Sequence, residues 1–417
     1  MSIWRVKGET PLEGSLTVQG AKNAVLPILA ACILTGCETE LTNCPQLRDV
    51  EASLNILRHL GCAVDRSGDV IHIDSTHITA CSIPHELMRA MRSSVIFLGA
   101  VAGRCGEAWL SMPGGCELGP RPIDLHLAAL RALGAEVSEQ GGDIVCRAGR
   151  LRGTHMTLSM PSVGATENAM IAACAAEGET RISNAACEPE IVDLQGFLRA
   201  LGADIDGAGT PEIVVRSFSP RKKVGWRVMP DRIVSATFLC ACAGAGGDIE
   251  LRGVDPGHFA GVTQALEAMG CELRQNSRSV RLRSNALLRA APLIQTRPYP
   301  GFPTDAQPLM MAASLRARGT TVFVENIFPN RYRQAAEMRR LGADIRVQGR
   351  VAMVSGVPAL HGASVRAEDL RGGAALVIAA LCAEGESVIA DPGHIERGYD
   401  ALDAGLRALG ADVEKTE

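Results

Sequence analysis

One short phrase recurs six times along the chain and constrains its fold more than any other feature. The copies begin 68–73 residues apart: LGCAV at 60–64, LGAEV at 133–137, LGADI at 201–205, MGCEL at 269–273, LGADI at 341–345 and LGADV at 409–413. A period of this length predicts one supersecondary unit repeated along the chain. Because a single core rarely grows beyond ~250–300 residues, the 417 residues favour two domains of three units each.

Each copy predicts the same order of elements. The phrase closes an amphipathic helix, as in the stretch after Asp193, a possible N-cap, where Leu194, Phe197, Leu198 and Leu201 follow helical spacing. The glycine of the phrase is the expected C-cap, and the following residues alternate as strands do. An earlier, uniformly apolar helix in each copy, such as AVLPILAACIL at 24–34, predicts a buried helix. The predicted unit is strand, helix, strand, helix, strand, strand.

The two ends of the chain predict how the domains are assembled. The sixth copy stops at ADVEKTE, one strand short, while IWRV near the start belongs to no complete copy. We therefore expect the N-terminal strand to complete the last unit, with crossovers near 18–22 and 228–231. One predicted domain comprises residues 1–20 and 230–417, and the other residues 21–229. The expected fold class is α/β (α+β), with two domains of three units each and an active site in the cleft between them.

Composition excludes several classes of partner. The net charge is −4 and the basic residues are scattered, which disfavours nucleic acid. Apolar runs fall well below the ~20 residues that span a bilayer, and the N-terminus has no apolar signal segment. Most of the 14 cysteines lie in apolar runs without a CxxC pair, which is typical of free thiols in a reducing compartment. We expect a cytoplasmic protein without membrane insertion, metal or cofactor.

Charged residues recur at the predicted helix starts. The buried helices begin near Lys22, Arg92, Ser162, Arg232, Asp305 and Arg371, and the amphipathic helices near Arg48, Arg121, Arg331 and Arg397. A cation is unfavourable beside a helix N-terminus, so its repeated placement there indicates a ligand. The pattern predicts a small polyanion bound between the domains, with Asp305 and Cys116 as candidate reactive groups.

Cys116 differs from the other thirteen cysteines in its surroundings. It lies in PGGCELG, between a Gly-Gly pair and a glutamate, and lacks their apolar neighbours. Because Gly114 and Gly115 allow backbone conformations closed to other residues, the loop is predicted to act as a lid that carries the thiol.

Several long segments carry a resemblance to a known family. They include GAKNAVLPILAA (20–31), PGGCELGPRPIDLH (113–126), PSVGATENAM (161–170), PYPGFPTDAQ (298–307), EDLRGGAALV (368–377) and HIERGYD (394–400). Over essentially the whole chain, the sequence resembles the enolpyruvyl transferases, and among them the UDP-N-acetylglucosamine 1-carboxyvinyltransferases that begin peptidoglycan synthesis. The resemblance implies transfer of the enolpyruvyl group of phosphoenolpyruvate to the 3-hydroxyl of UDP-N-acetylglucosamine, with release of phosphate by addition and elimination.

The resemblance also implies that the two domains are inverse α/β barrel-like domains, and it implies roles for individual residues. The catalytic residues would be Cys116 as the acid, Asp305 as the base, and also Lys22 and Arg397. Phosphoenolpyruvate would be held by Lys22, Arg121, Arg331, Arg371 and Arg397. UDP-N-acetylglucosamine would be held by Asn23, Arg92, Arg121, Pro122, Ile123, Asp124, Leu125, Ser162, Val163, Gly164, Asp305 and Ile327. Cys116 would carry a covalent adduct with phosphoenolpyruvate or fosfomycin.

The chain departs from the family pattern at two positions, and two alternative functions stay open. Met160 and Arg48 stand where some members have lysine. One alternative is transfer to another acceptor, such as shikimate 3-phosphate or a nucleoside. The other is a non-catalytic homologue that binds the UDP-sugar. Protein partners are not predicted.

Overall fold

The computed structural model describes residues 3–91, 93–111, 123–291 and 293–416. Contacts divide the chain into two compact units. The C-terminal unit comprises the described residues of 1–19 and 230–417, and the N-terminal unit comprises the described residues of 20–229. Each unit has its own hydrophobic core.

The strands that the structure describes all belong to four-stranded sheets. In chain order they are β1 Ile3–Lys7, β2 Leu12–Thr17, β3 Glu38–Thr42, β4 Ala63–Ser67, β5 Val70–Asp74, β6 Ser82–Ile83, β7 Glu107–Ser111, β8 Glu136–Gln140, β9 Asp143–Arg147, β10 His155–Thr157, β11 Thr180–Ser183, β12 Ala203–Asp206, β13 Glu212–Phe218, β14 Lys223–Arg227, β15 Gly247–Arg252, β16 Glu272–Gln275, β17 Ser279–Ser284, β18 Leu293–Gln295, β19 Thr320–Val324, β20 Asp344–Gln348, β21 Val351–Ser355, β22 Ser364–Arg366, β23 Glu386–Ala390 and β24 Asp412–Thr416.

The helices alternate with these strands. They are α1 Lys22–Ala31, α2 Arg48–His59, α3 His85–Ala90, α4 Phe97–Cys105, α5 Asp124–Ala132, α6 Val163–Cys174, α7 Pro189–Leu201, α8 Arg232–Ala245, α9 Ala260–Met269, α10 Gln307–Ala313, α11 Gln334–Arg340, α12 Leu370–Leu381 and α13 Leu402–Ala408. Short 3₁₀ helices cover Cys32–Leu34, Ser94–Ile96, Pro256–Phe259, Thr304–Ala306 and Pro392–Arg397.

One strand pattern is repeated in every described sheet. An edge strand runs parallel to its neighbour, and the next two pairings are antiparallel. The orders are β14-β3-β5-β4, β6-β7-β9-β8 and β10-β11-β13-β12 in the N-terminal unit, and β2-β15-β17-β16, β18-β19-β21-β20 and β22-β23-β1-β24 in the C-terminal unit. This topology confirms the predicted repeat and the α/β fold class.

The N-terminal strand lies inside the sheet of the last repeat. β1 pairs antiparallel with β23 and β24, so that Val6 faces Ser387 on one side and Val413 on the other. β2 pairs with β15 in the C-terminal unit and then leads into α1 of the N-terminal unit. β14 pairs with β3 in the N-terminal unit and then leads into α8 of the C-terminal unit. The chain therefore passes between the units near residues 19–20 and 229–230.

The helices of each unit fall into the two predicted kinds. The uniformly apolar helices pack against one another, α1, α4 and α6 in one unit and α8, α10 and α12 in the other, and nearly all of their residues are buried. The glycines of the repeated phrase all have positive φ, between 92° and 115°, at Gly61, Gly134, Gly202, Gly270, Gly342 and Gly410. This is the left-handed conformation that ends a helix at low strain in glycine. Gly202 and Gly270 are the C-caps of α7 and α9, as predicted. In the other four copies the C-cap is the leucine before the glycine, so the predicted C-cap is wrong there by one residue.

The predicted N-cap at Asp193 is wrong. α7 begins earlier, at Pro189, which directly follows Glu188. Proline suits the first turn of a helix because backbone N–H groups there have no intrahelical acceptor, so the N–H that proline lacks costs no hydrogen bond. Asp193 lies one turn inside the helix and accepts a hydrogen bond from the Met229 backbone N–H at 3.3 Å. Burial raises the pKa of Asp193 to about 7, although the Met229 N–H acts in the opposite direction.

Candidate active site

Two arginines of the C-terminal unit share one carboxylate. Asp305 lies in the 3₁₀ turn before α10, Arg331 lies before α11, and Arg371 is the second residue of α12. The Asp305 carboxylate accepts from Arg331 Nη2 at 2.7 Å and from Arg371 Nε at 3.2 Å. The side chains of Arg331 and Arg371 are 3% and 2% exposed, whereas that of Asp305 is 27% exposed. We call Arg331 and Arg371 the arginine pair.

The arginine pair controls the protonation of Asp305. Burial raises the pKa of the carboxyl, but Arg371 and Arg331, helped by Arg232, lower that pKa by more, and the net shift is well below the usual range. Asp305 is therefore ionised, but it holds a proton too weakly to act as an efficient general base while it is paired.

Tyr399 supports Arg371 from another side. The guanidinium carbon lies 5.1 Å from the centre of the Tyr399 ring, a cation–π distance. The Tyr399 hydroxyl and Thr237 Oγ1 are hydrogen-bonded at 2.9 Å, and both residues are buried. Arg371 Nη1 has no hydrogen-bond partner among the residues that the structure describes. A buried guanidinium nitrogen of this kind is a donor suited to an anionic ligand.

Two other predicted site residues of the C-terminal unit lie outside its α-helices and strands. Arg397 is the last residue of the 3₁₀ helix Pro392–Arg397 and is half-buried. Ile327 follows β19 and is also half-buried; its backbone N–H donates to Glu325 Oε1 at 2.7 Å. Sequence analysis missed Glu325, the acceptor of this hydrogen bond.

In the N-terminal unit, Lys22 is paired with a carboxylate that sequence analysis also missed. Lys22 is the first residue of α1, and its Nζ lies 2.6 Å from Asp49 Oδ2 in the first turn of α2. The two side chains are 11% and 2% exposed. Because an ammonium group has three N–H donors, the pairing with Asp49 is compatible with phosphate binding. The neighbouring Asn23 and Arg48 are exposed.

The predicted sugar-nucleotide residues of this unit cluster at two helix starts. Ile123, Asp124 and Leu125 stand at the beginning of α5. Ser162 is the N-cap of α6, where its hydroxyl accepts from the Ala165 N–H at 3.4 Å, and Val163 and Gly164 follow it.

His126 holds these two helix starts together. Asn168 Nδ2 donates to Val95 O and contacts His126 Nδ1, each at 2.9 Å, so the amide can donate to this ring nitrogen. A methyl group on Gly164 would lie 3.0 Å from His126 Cε1, which shows that the ring packs directly on the α6 start. The buried histidine thus orients residues of the site, as a lone histidine usually does.

Four predicted site residues, Arg92, Cys116, Arg121 and Pro122, lie outside the described residues. Of the two departures from the family pattern, Met160 is 49% exposed.

Among the described thiols, burial raises the pKa of Cys174 and of Cys382 to about 12 in each case, so these cysteines are unsuited to nucleophilic or acid–base chemistry at neutral pH. The described residues contain no cluster of side chains able to hold a metal ion, and none of their helices has the length and hydrophobicity needed to cross a bilayer.

Comparison with known proteins defines the class. Residues 6–406 match the family described as EPSP synthase (3-phosphoshikimate 1-carboxyvinyltransferase), and the chain belongs to this family of carboxyvinyl transferases. The relatives narrow the class further. The chain is 46% identical over 413 residues to UDP-N-acetylglucosamine 1-carboxyvinyltransferase 2 of Caldanaerobacter subterraneus, with 99% of each chain covered. It is 47% identical over 416 residues to UDP-N-acetylglucosamine 1-carboxyvinyltransferase 1 of Symbiobacterium thermophilum, with 98% of this chain and 94% of the relative covered.

Solved structures show the same fold. The enolpyruvyl transferase NikO from Streptomyces tendae superposes with a TM-score of 0.89 at 25% identity, covering 100% of this chain and 99% of NikO. EPSP synthase from Acinetobacter baumannii superposes with a TM-score of 0.76 at 19% identity, with both chains fully covered.

Proposed function

We propose that the chain transfers the enolpyruvyl group of phosphoenolpyruvate to the 3-hydroxyl of UDP-N-acetylglucosamine, and that it does so in the cytoplasm at the start of peptidoglycan synthesis. Relatives named for this activity are 43–47% identical over nearly the whole chain. The observation that carries the proposal in the structure is the arginine pair, since buried guanidinium groups that converge on one carboxylate suit a carboxylate substrate.

The reaction needs one acid and one base. In the addition step, the sugar 3-oxygen bonds to C2 of phosphoenolpyruvate, the base takes the hydroxyl proton, and C3 receives a proton from the acid. In the elimination step, the C2–O bond to phosphate breaks, phosphate leaves with the electron pair of that bond, and C3 gives a proton back to the deprotonated acid, which restores the double bond. Cys116 is the acid of this proposal and Asp305 the base.

The anionic groups of phosphoenolpyruvate are assigned to different cations. The arginine pair holds the carboxylate, for which Arg371 Nη1 is a donor without a protein partner in the described chain. Lys22, Arg121 and Arg397 hold the phosphate. Asn23, Arg92, Arg121 to Leu125, Ser162 to Gly164, Asp305 and Ile327 line the sugar-nucleotide site in this proposal.

Asp305 and the substrate carboxylate compete for the same donors. The Asp305 carboxylate occupies the arginine pair in this structure, and the pairing keeps the pKa of Asp305 well below its usual range. When a substrate carboxylate takes over Arg331 and Arg371, Asp305 loses the interactions that lower its pKa, and burial then raises that pKa. Asp305 thus becomes a competent base only after phosphoenolpyruvate has bound.

Release of inorganic phosphate tests the function. The purified protein should release phosphate when it is given both phosphoenolpyruvate and UDP-N-acetylglucosamine, and only background phosphate when the sugar nucleotide is omitted. Shikimate 3-phosphate in place of the sugar nucleotide tests the other acceptor class. Absence of phosphate release with both proposed substrates would refute the proposal, and faster release with shikimate 3-phosphate would reassign the acceptor.

Fosfomycin tests the role of Cys116. This electrophilic epoxide should add to the Cys116 thiol, increase the intact mass by one equivalent and abolish phosphate release. The Cys116→Ser variant should keep its mass under the same treatment. An adduct on another cysteine, or full activity of Cys116→Ser, would contradict the assignment and would favour a different acid.

A further inference from the structure

We propose that Glu325 is a positioning residue whose buried carboxylate fixes the segments that carry Asp305, Ile327 and Arg331. Glu325 directly follows β19 and is 1% exposed. Its two carboxylate oxygens accept four hydrogen bonds from three separate segments of the C-terminal unit. This inference rests on the proposed function, because it concerns residues to which that function assigns roles.

One carboxylate oxygen anchors the segment after β19. Glu325 Oε1 accepts from the backbone N–H of Ile327 at 2.7 Å and from that of Phe328 at 3.0 Å. The Phe328 ring centre lies 6.0 Å from the guanidinium carbon of Arg331. The anchor therefore sets the course of the backbone that leads to Arg331.

The other oxygen anchors the Asp305 turn. Glu325 Oε2 accepts from the Thr304 hydroxyl at 3.0 Å, and Thr304 is the residue before Asp305. The Thr304 carbonyl oxygen in turn accepts from Arg331 Nε at 3.2 Å. Glu325 is thus linked through Thr304 to Arg331, and Arg331 donates to the Asp305 carboxylate.

The segment that contains Thr296 supplies the fourth hydrogen bond to the Glu325 carboxylate. The Thr296 hydroxyl donates to Glu325 Oε1 at 3.0 Å, and Thr296 Oγ1 accepts from the Asn326 N–H at 2.9 Å. With all four donors in place the buried carboxylate is well satisfied, and such networks hold one geometry strongly. Because small displacements of reacting groups reduce rates steeply, the expected consequence of loosening this network is a lower kcat.

Thr304→Val is the sharpest variant, since it removes only the link between Glu325 and the Asp305 turn. We expect its kcat to fall about tenfold, in line with the loss of one buried hydrogen bond to a charged group. The KM for UDP-N-acetylglucosamine should stay within about twofold, because the Ile327 anchor is kept. The matched control is Thr321→Val on β19: Thr321 is buried, and its hydroxyl has no hydrogen-bond partner among the described residues. Its kcat should equal that of the wild type.

Two substitutions of Glu325 separate positioning from folding. Glu325→Gln keeps an oxygen for the Ile327 and Phe328 amides, and its NH₂ group can donate to Thr304, so it should retain more than half of the wild-type kcat. Glu325→Ala removes every anchor, so its kcat should fall further than that of Thr304→Val. Hydrogen exchange at the Ile327 and Phe328 amides should be fast in Glu325→Ala and slow in Glu325→Gln and Thr304→Val.

The outcomes distinguish this inference from the proposed function. A wild-type protein without phosphate release overturns the proposed function, while hydrogen exchange still tests the anchor. An active wild type with an unchanged kcat in Thr304→Val overturns the positioning role alone. Slow exchange of both amides in Glu325→Ala overturns the anchor itself.

Discussion

The two units share one repeat and one sheet topology, but they use their helix starts differently. In the C-terminal unit, Arg331 before α11 and Arg371 at the start of α12 meet the Asp305 carboxylate before α10, and Arg232 at the start of α8 contributes to the low pKa of Asp305. In the N-terminal unit, Lys22 at the start of α1 forms an ion pair with Asp49, and Ser162 caps α6. The repeat thus specifies where the side chains proposed to bind the ligand lie, but it does not determine the charge at each position.

The two units also differ in the direction in which the pKa of a buried carboxyl group is shifted. The N-terminal unit contains Glu167, whose pKa burial raises well above the usual range, with Glu190 and Glu188 acting in the same direction. The C-terminal cluster instead has more positive than negative groups and lowers the pKa of its carboxylate. We therefore propose the arginine pair as the site that binds a substrate carboxylate, and the following variants test that contrast.

The largest effect is expected for Asp305→Asn. Loss of the base should lower kcat by about 10³-fold, within the range typical of general-base catalysis. The same change removes the competitor for the arginine pair, so phospholactate, which has both anionic groups of phosphoenolpyruvate but no double bond, should bind at least as tightly as to the wild type. Phosphate release and calorimetry measure the two effects. Binding weakened tenfold would contradict the competition.

Asp49→Asn tests the pairing in the other unit. It leaves the Lys22 charge without its buried partner, which should lower the free energy of unfolding by about 3 kcal/mol. Urea denaturation measures this change. The control is Asp412→Asn, which breaks the exposed pair of Lys7 and Asp412 and should leave the denaturation midpoint unchanged. Equal effects of the two substitutions would refute a structural role for Asp49.

Arg371→Lys tests the geometry of the arginine pair at constant charge. Lysine cannot present a planar fork to Asp305 and to a ligand, so the KM for phosphoenolpyruvate should rise by about tenfold or more. The KM for the sugar nucleotide should stay unchanged. Arg316→Lys, in the same unit, is the control, since Arg316 donates to the Cys382 carbonyl oxygen. An unchanged phosphoenolpyruvate KM in Arg371→Lys would mean that charge alone suffices.

Asp193→Asn should give the smallest effect. Burial raises the pKa of Asp193 to about 7 in the folded protein, so the folded state binds a proton that the unfolded state has lost above its ordinary pKa of ~3.9. The stability from that proton is complete below the unfolded pKa and is lost as the pH rises towards 7. Asparagine mimics the protonated carboxyl, so the variant should melt about 2–4 °C above the wild type at pH 8. The difference should shrink at pH 5; a difference that grows towards acid pH would contradict the raised pKa.

Much of the fold was predictable from the repeated phrase. Its glycines mark helix ends with positive φ, and the spacing between copies predicts the element order and the sheet pattern that the structure shows. The helix starts were predictable in the same way, because the repeat aligns Lys22, Asp305 and Arg371 without any coordinates. Three-dimensional contact then brings Asp305 to the arginine pair, across 26 and 66 residues of sequence.

Asp49 and Glu325 were harder to predict. Asp49 looks like an ordinary acid in the first turn of a helix, although it falls on the face of α2 that also buries Ser53 and Ile56, which was a usable signal. Glu325 offers no such signal. Its partners Thr296 and Thr304 are 29 and 21 residues away, and sequence spacing does not determine how their segments meet.

The central claim is that substrate carboxylate and Asp305 exchange places at the arginine pair. The most direct measurement is the pH titration of the ¹³C-labelled Asp305 carboxyl, assigned by its loss in Asp305→Asn, with and without saturating phospholactate. If the two carboxylates exchange places, the pKa of Asp305 should lie well below the ordinary aspartate range in the free protein and should rise clearly when phospholactate is bound. A carboxyl that titrates at the same pH in both states would contradict it.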